Sequence, residues 1–194
     1  TMDQKTDGAH TSQQILDIAQ GLVQRVGFNA FSYADIAGVL RITKASLHYH
    51  FPSKASLGVS LIERYGREFE ALLAGIDLVG GGAREKLRRY TAAHAEVLAD
   101  DRMCLCGMLA AEFESLPKEM QTTLDAYFAM NERWLAGVLE EGRSSGKLGF
   151  SGPPIEAARY VIDSLEGAMM MARFDGGPAR FEAAARRLLA SFAP

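Results

Sequence analysis

Long apolar runs are missing from this 194-residue sequence: no stretch approaches the eighteen apolar residues that a bilayer-spanning helix needs. The first ten residues are polar and lack the apolar run of a signal peptide, so the expectation is a cytoplasmic chain with no membrane partner. Cysteine is scarce. Cys104 and Cys106 are two apart, which is not the Cys-x-x-Cys of redox motifs; no second pair completes a zinc site, and the short span strains a bridge. No metal is expected. Also absent are a Gly-rich phosphate loop, His-Glu-x-x-His and Gly-x-Ser-x-Gly, while Glu112 and Glu114 fall on different faces of a helix. Nothing places a nucleophile beside a base, so the reading is not an enzyme and no cofactor is expected.

A dominant charge is missing too. The net value is -3 with a pI near 5.8, yet residues 1–54 hold five Lys or Arg against four Asp or Glu, and the acidic excess lies beyond them.

What the chain does have is a succession of amphipathic helices with no competing strand alternation. With 48% hydrophobic residues, the fold class is all-α with ample core. Ile15, Ile18, Ala19, Leu22, Val23 and Val26 set one helix from about Ser12 to Val26, ended by Gly27. Leu57, Leu61, Ile62, Tyr65, Phe69, Leu72 and Leu73 set a long connector, broken by Gly80-Gly81-Gly82. Further helices are expected over about Ala83–Ala99, Gly107–Leu116, Pro117–Ser144 and Pro154–Phe174, with Gly176-Gly177-Pro178 separating the last of these from a final helix that ends near Phe192. In the last two, the stripes Ala158, Val161, Ile162, Leu165, Met169 and Phe181, Ala185, Leu188, Phe192 predict a homodimer seam.

The segment from Gly27 to Leu57 carries the densest signal. Ser32 followed by Asp35 caps a short helix bearing Ile36, Ala37 and Leu40; Arg41 and Ile42 turn; Thr43 caps a second helix. In that helix Leu47 points inward and Lys44, Ser46, His48 and Tyr49 stay outside, a face with donors and few carboxylates. Ala37, Leu40, Leu47 and Phe51 are expected in the core. Pro52-Ser53 restarts the chain and puts Lys54 in a first helical turn, where amides and a cation suit a phosphate. The spacing is that of a helix-turn-helix whose second helix enters a major groove. A purely structural helical adaptor would not need that exposed polar face.

The same residues resemble the amino-terminal domain of the TetR family of transcriptional regulators: Gly27, Ser32, Asp35-Ile36-Ala37, Arg41-Ile42-Thr43, Leu47-His48-Tyr49-His50-Phe51 and Ser53-Lys54-Ala55-Ser56-Leu57. Arg41 stands where the family has Gly, and a left-handed residue there costs about 1 kcal/mol, so a locally rearranged turn is expected. His48 stands where it has Tyr, which leaves the aromatic phosphate contact to either His48 or Tyr49. The resemblance implies a three-helix DNA-binding domain over residues 11–56 and a larger helical ligand-binding and dimerisation domain over 57–194. Its partners would be a double-stranded DNA operator, palindromic for a two-fold homodimer joined through the two C-terminal helices, and a small-molecule effector. Contacts to DNA are implied for Ser32, Thr43, Lys44, Ala45, Ser46, His48, Tyr49, His50 and Lys54.

For the effector, the soft and aromatic side chains of Met103, Cys106, Phe113, Tyr127, Met130, Trp134, Met170 and Phe174 suit an apolar pocket. His94, Glu112, Asn131, Arg133 and Arg173 are its polar candidates. The run Met103-Cys104-Leu105-Cys106 resembles effector domains of a TetR subgroup in which a cysteine at this helix start responds to electrophiles, and a helix dipole favours such a thiolate. The function implied is a ligand-responsive repressor released by a small apolar or electrophilic effector, which acts by moving the connector.

Overall fold

A computed structural model describes residues 2–194, with side chains from His10 onward. Among the described residues there are nine α-helices and no strand. They are α1 Met2–Val26, α2 Tyr33–Leu40, α3 Lys44–His50, α4 Lys54–Val79, α5 Ala83–Ala99, α6 Leu105–Ala111, α7 Lys118–Ser144, α8 Pro154–Phe174 and α9 Gly177–Ser191. A 3-10 turn, Phe113–Ser115, sits between α6 and α7. No described helix is long and apolar enough to cross a membrane.

Two boundaries correct the sequence reading. Helix α1 begins at Met2 rather than near Ser12, because the polar leading residues contain no proline to stop a solvated helix. Helix α6 starts at Leu105 and stops at Ala111 instead of running from Gly107 to Leu116. Pro117 forces the residue before it out of helical geometry, and Leu116 is accordingly extended, with ψ 144.

The chain forms two compact units. The first runs to Gly66 and takes in Leu105–Asp125; the second holds Arg67–Cys104 and Ala126–Pro194. Helices α4 and α7 each begin in the first unit and end in the second.

In the first unit, Ile15, Ala19 and Val23 of α1 are buried at the three- and four-residue spacing that puts one stripe inside. Leu105, Cys106 and Leu109 of α6 are buried as well, and α6 packs on α1. Gly58 of α4 is a point of close approach. A Cβ built there would lie 2.4 Å from the Met120 thioether, so only hydrogen fits between α4 and the start of α7.

In the second unit α8 packs on α9, and α5 packs on both. The α8 and α9 stripes that predicted a dimer seam are used here: Ala158, Val161, Leu165, Met169, Phe181, Ala185 and Leu188 are all buried within one chain. Periodicity identified an apolar face, but that face closes the unit's own core. The apolar side chains left outside on α8 are Tyr160, Met170, Met171 and Phe174.

The interior of this unit is aromatic and polar together. Tyr90 stacks on Trp134 with ring centres 5.7 Å apart, and Phe69 meets Tyr90 and Tyr127 at 5.8 and 5.9 Å. The buried Tyr90 hydroxyl donates to Asn131 Oδ1 at 3.1 Å, and burial holds the phenol well above its ordinary pKa. His94 Nδ1 lies 3.0 Å from the Tyr90 carbonyl. Tyr90, His94 and Asn131 thus each have a partner, as burial demands.

Trp134, the one tryptophan, donates its indole N–H to Asp77 Oδ2 at 2.9 Å, while Lys86 pairs with Asp77 at 3.0 Å. The indole bond first, then Lys86, holds the Asp77 carboxyl below its usual 3.8. A depressed folded value means that its contribution to stability exists above the ordinary pKa and is lost as pH falls through the folded one. Tryptophan emission is therefore expected to shift below pH 3.8 and not above it. With far-UV circular dichroism recorded alongside, that step should vanish in Asp77→Asn.

Candidate nucleic-acid interface

The geometry of α2 and α3 follows from their ends. Ser32, in an extended conformation, precedes α2, and the Asp35 carboxylate reaches back to accept from the Ser32 amide at 2.7 Å and its hydroxyl at 2.8 Å. These bonds, amide first, hold the Asp35 carboxyl below its ordinary value. At the other end Arg41 is left-handed, with φ 56 and ψ 38, and the amides of Arg41 and Ile42 both donate to the Ala37 carbonyl. The rearranged turn expected from Arg41 does not occur. The left-handed geometry is kept because it brings both amides onto the Ala37 carbonyl near the end of α2, and Arg41 bears the strain.

Thr43 then caps α3 with Oγ1 accepting from the Ser46 amide at 3.1 Å. Leu47 has no exposed surface and pins the helix to the unit; Phe51 and Ala37 are buried beside it in the same core, whereas Leu40 is only half-buried. A second pin is the Tyr33 hydroxyl, which donates to the Phe51 carbonyl at 2.8 Å. Burial pushes that phenol up to about 12. The sequence reading missed Tyr33, which looked like one more aromatic at a helix start.

Around those pins the outer face of α3 is laid open. Lys44, Ala45, His48 and Tyr49 are exposed, Ser46 and His50 half-buried. The two aromatic candidates for a phosphate contact now differ. The His48 ring rests 4.8 Å from Tyr33, with Nδ1 3.2 Å from the Pro52 carbonyl, whereas Tyr49 is 83% exposed and meets only the edge of His50 at 5.2 Å.

Lys54 is a correction. The sequence aimed it outward at a phosphate, but its ammonium turns inward, donating to the carbonyls of Phe28 and Phe31 and lying over both rings at 4.6 and 4.2 Å. Desolvation lowers its pKa, opposed by the Glu112 and Asp35 carboxylates. Glu112, read as a polar candidate for the effector pocket, is a second. Its two oxygens accept from the amides of Phe28 at 2.7 Å and Asn29 at 3.1 Å, and Asn29 Nδ2 donates to Ser115 Oγ at 2.8 Å.

The effector candidates do not all come together. Cys106 and Phe113 belong to the first unit; Met103, Tyr127, Met130, Trp134, Met170 and Phe174 belong to the second. Tyr127 and Trp134 join Phe69 and Tyr90 in the aromatic interior, and Met130 with Trp134, Leu73 and Asp77 lines a cleft of about 210 Å³. Met170 and Phe174 face solvent, 55% and 82% exposed, because Met169 and Ala172 take the inward positions and each helical step rotates the next side chain away. Phe174 lines an open cleft of about 440 Å³ with Leu98 and Arg102.

Residues 15–60 match the family model described as bacterial regulatory proteins, tetR family, and residues 83–188 match the tetracyclin repressor-like C-terminal domain. The second match alone spans more than half of the chain. The chain belongs to the TetR family. A TetR-family regulator from Agrobacterium tumefaciens of known structure is 35% identical, covers 96% of this chain and 100% of its own, and superposes with a TM-score of 0.93. The transcriptional repressor NemR of Escherichia coli strain K12 is 24% identical over 167 residues, 84% of each chain. DhaR, a transcriptional repressor of Mycobacterium sp. strain GP1, is 23% identical over 77% of this chain and 75% of its own. The TetR family is one of helix-turn-helix transcription regulators, and DNA binding and ligand binding are typical of it.

If Arg41 carries strain that the family's glycine avoids, Arg41→Gly is expected to raise the free energy of unfolding by about 1 kcal/mol. Urea titration of both proteins measures it, and a loss of stability would show that the Arg41 side chain contributes more than its backbone costs.

Proposed function

We propose that this TetR-family chain is a ligand-responsive repressor that binds a palindromic operator as a homodimer and is released by a small apolar or electrophilic effector. The observation that carries the reading is the α3 face, where Lys44, Ser46, His48 and Tyr49 ring a fully buried Leu47 without an acid among them. Residues 11–56 do the reading; residues 57–194 bind ligand and dimerise. Ser32, Thr43, Ala45 and His50 complete the DNA-facing set, with Tyr49 the side chain that reaches furthest. Phosphate attraction is modest, since the N-terminal segment is barely basic, so two heads in one dimer are needed for affinity.

The dimer forms through α8 and α9, on the outer face of α8. Tyr160, Asp163, Gly167, Met170 and Phe174 recur there at three and four residues, and the apolar members are exposed in a single chain. A second copy across a two-fold axis covers this stripe. The effector settles among the aromatic side chains of the C-terminal unit, Tyr127, Met130 and Trp134 included, with Asn131 and His94 as polar partners, and it favours a shape in which the connector α4 no longer holds both heads in register.

Duplexes selected from a random pool by the full chain test this directly. The expected product is a palindrome bound with a steep salt dependence, and Lys44→Ala or Tyr49→Ala should each weaken it roughly tenfold. Phe174→Glu should give monomers in sedimentation and abolish palindrome binding. Selection of no sequence at all would remove the regulator reading.

Cys106 is the route for an electrophile. Its sulfur is in the second residue of α6 with no exposed surface, so reagent enters only when α6 opens. Maleimide labelling is expected to be slow in the native protein and fast in urea. N-ethylmaleimide should free the operator from wild type and not from Cys106→Ser; equal release from both would rule the thiol out.

A further inference from the structure

The turn that joins α1 to α2, residues 27–31, is held from two directions. On one side Lys54, the first residue of α4, donates to the carbonyls of Phe28 and Phe31. On the other, both Glu112 oxygens take the amides of Phe28 and Asn29, and Ser115 takes the Asn29 side chain. Gly27 makes room for this. Its φ is +94, and a Cβ there would stand 3.1 Å from a Glu112 oxygen, so a side chain would be both strained and crowded.

Glu112 lies inside the stretch that matches the C-terminal family domain, yet it belongs to the compact unit that carries α2 and α3. Two further contacts bind its segment to that unit: α6 on α1, and Met120 against Gly58, whose Cβ position would also lie 3.1 Å from the Phe28 ring. Glu112 is six positions beyond Cys106, which lies at the start of α6.

We propose that Glu112 is a positioning residue for the reading head: its carboxylate sets the 27–31 turn, and through it α2 and α3, so that residues 105–125 govern the head by a route separate from the tilt of α4. The inference rests on the DNA-binding reading for its biological meaning. The geometry accounts for the choice of side chain. Two adjacent amides pointing one way need an acceptor with two oxygens and a negative charge, and an amide side chain would turn an N–H against one of them.

The test compares full-length wild type, Glu112→Gln and the milder Ser115→Ala, with Ser144→Ala as a control that loses a hydrogen bond to Glu140 in the other unit. Amide hydrogen exchange is read at single residues, and affinity is measured for the duplex that wild type selects. In Glu112→Gln, exchange at Phe28 and Asn29 should rise about tenfold or more, the rise should extend into α2 and α3, and duplex affinity should fall about tenfold, as expected for loss of a charge-assisted hydrogen bond. Ser115→Ala should move both readouts the same way by about twofold, and Ser144→Ala should move neither. Faster exchange confined to residues 28 and 29 with full affinity would overturn the proposal and reduce Glu112 to a cap on the turn. Unchanged exchange would overturn it too. If wild type selects no duplex, the regulator reading fails, while the spread of exchange into α3 still decides for or against Glu112.

Discussion

Six residues, 27–32, lie between α1 and α2, and the arrangement of the first unit follows from how the peptide groups of Phe28, Asn29 and Phe31 find partners there. Lysine supplies donors to the carbonyls, glutamate supplies acceptors to the amides, and the two opposite charges arrive from different parts of the chain. With both sides satisfied, the turn holds the start of α2 in place, and α2 in turn holds α3 through Leu47 and the Tyr33 hydroxyl. The exposed face of α3 is therefore defined by groups that lie behind it, the buried Leu47 and Tyr33 and the half-buried Lys54 and Glu112.

The second unit solves a different problem with similar means. Its centre takes in Tyr90, His94 and Asn131 along with three aromatic rings, and each polar atom is matched before it is buried. Such an interior is more specific in shape than a purely aliphatic one and offers both flat apolar surface and hydrogen-bonding edges. An adaptable pocket needs that combination.

Much of the head was legible because its signals are local. Caps, the turn and the inward leucine are relations over three or four residues, and Ser32, Asp35, Thr43 and Leu47 stand as spacing alone implies. What was not legible depends on distance along the chain. Lys54 at a helix start reads the same whether it faces water or two carbonyls, and Glu112 finds its partner 84 residues away. The α8 stripe shows a third limit: periodicity reveals which face is apolar, not whether the chain itself or a second copy covers it. Met170 and Phe174 carry apolar mass that suits a pocket by composition, yet one helical step from Met169 puts Met170 outside.

At Gly58 the missing side chain sets how closely two helices meet. Where Met120 fills the space of an absent methyl group, there is no gap to absorb a small displacement. A contact so tight behaves as a stop instead of a cushion. Here the glycine serves the close approach of α4 and the first turn of α7 rather than looseness of the chain.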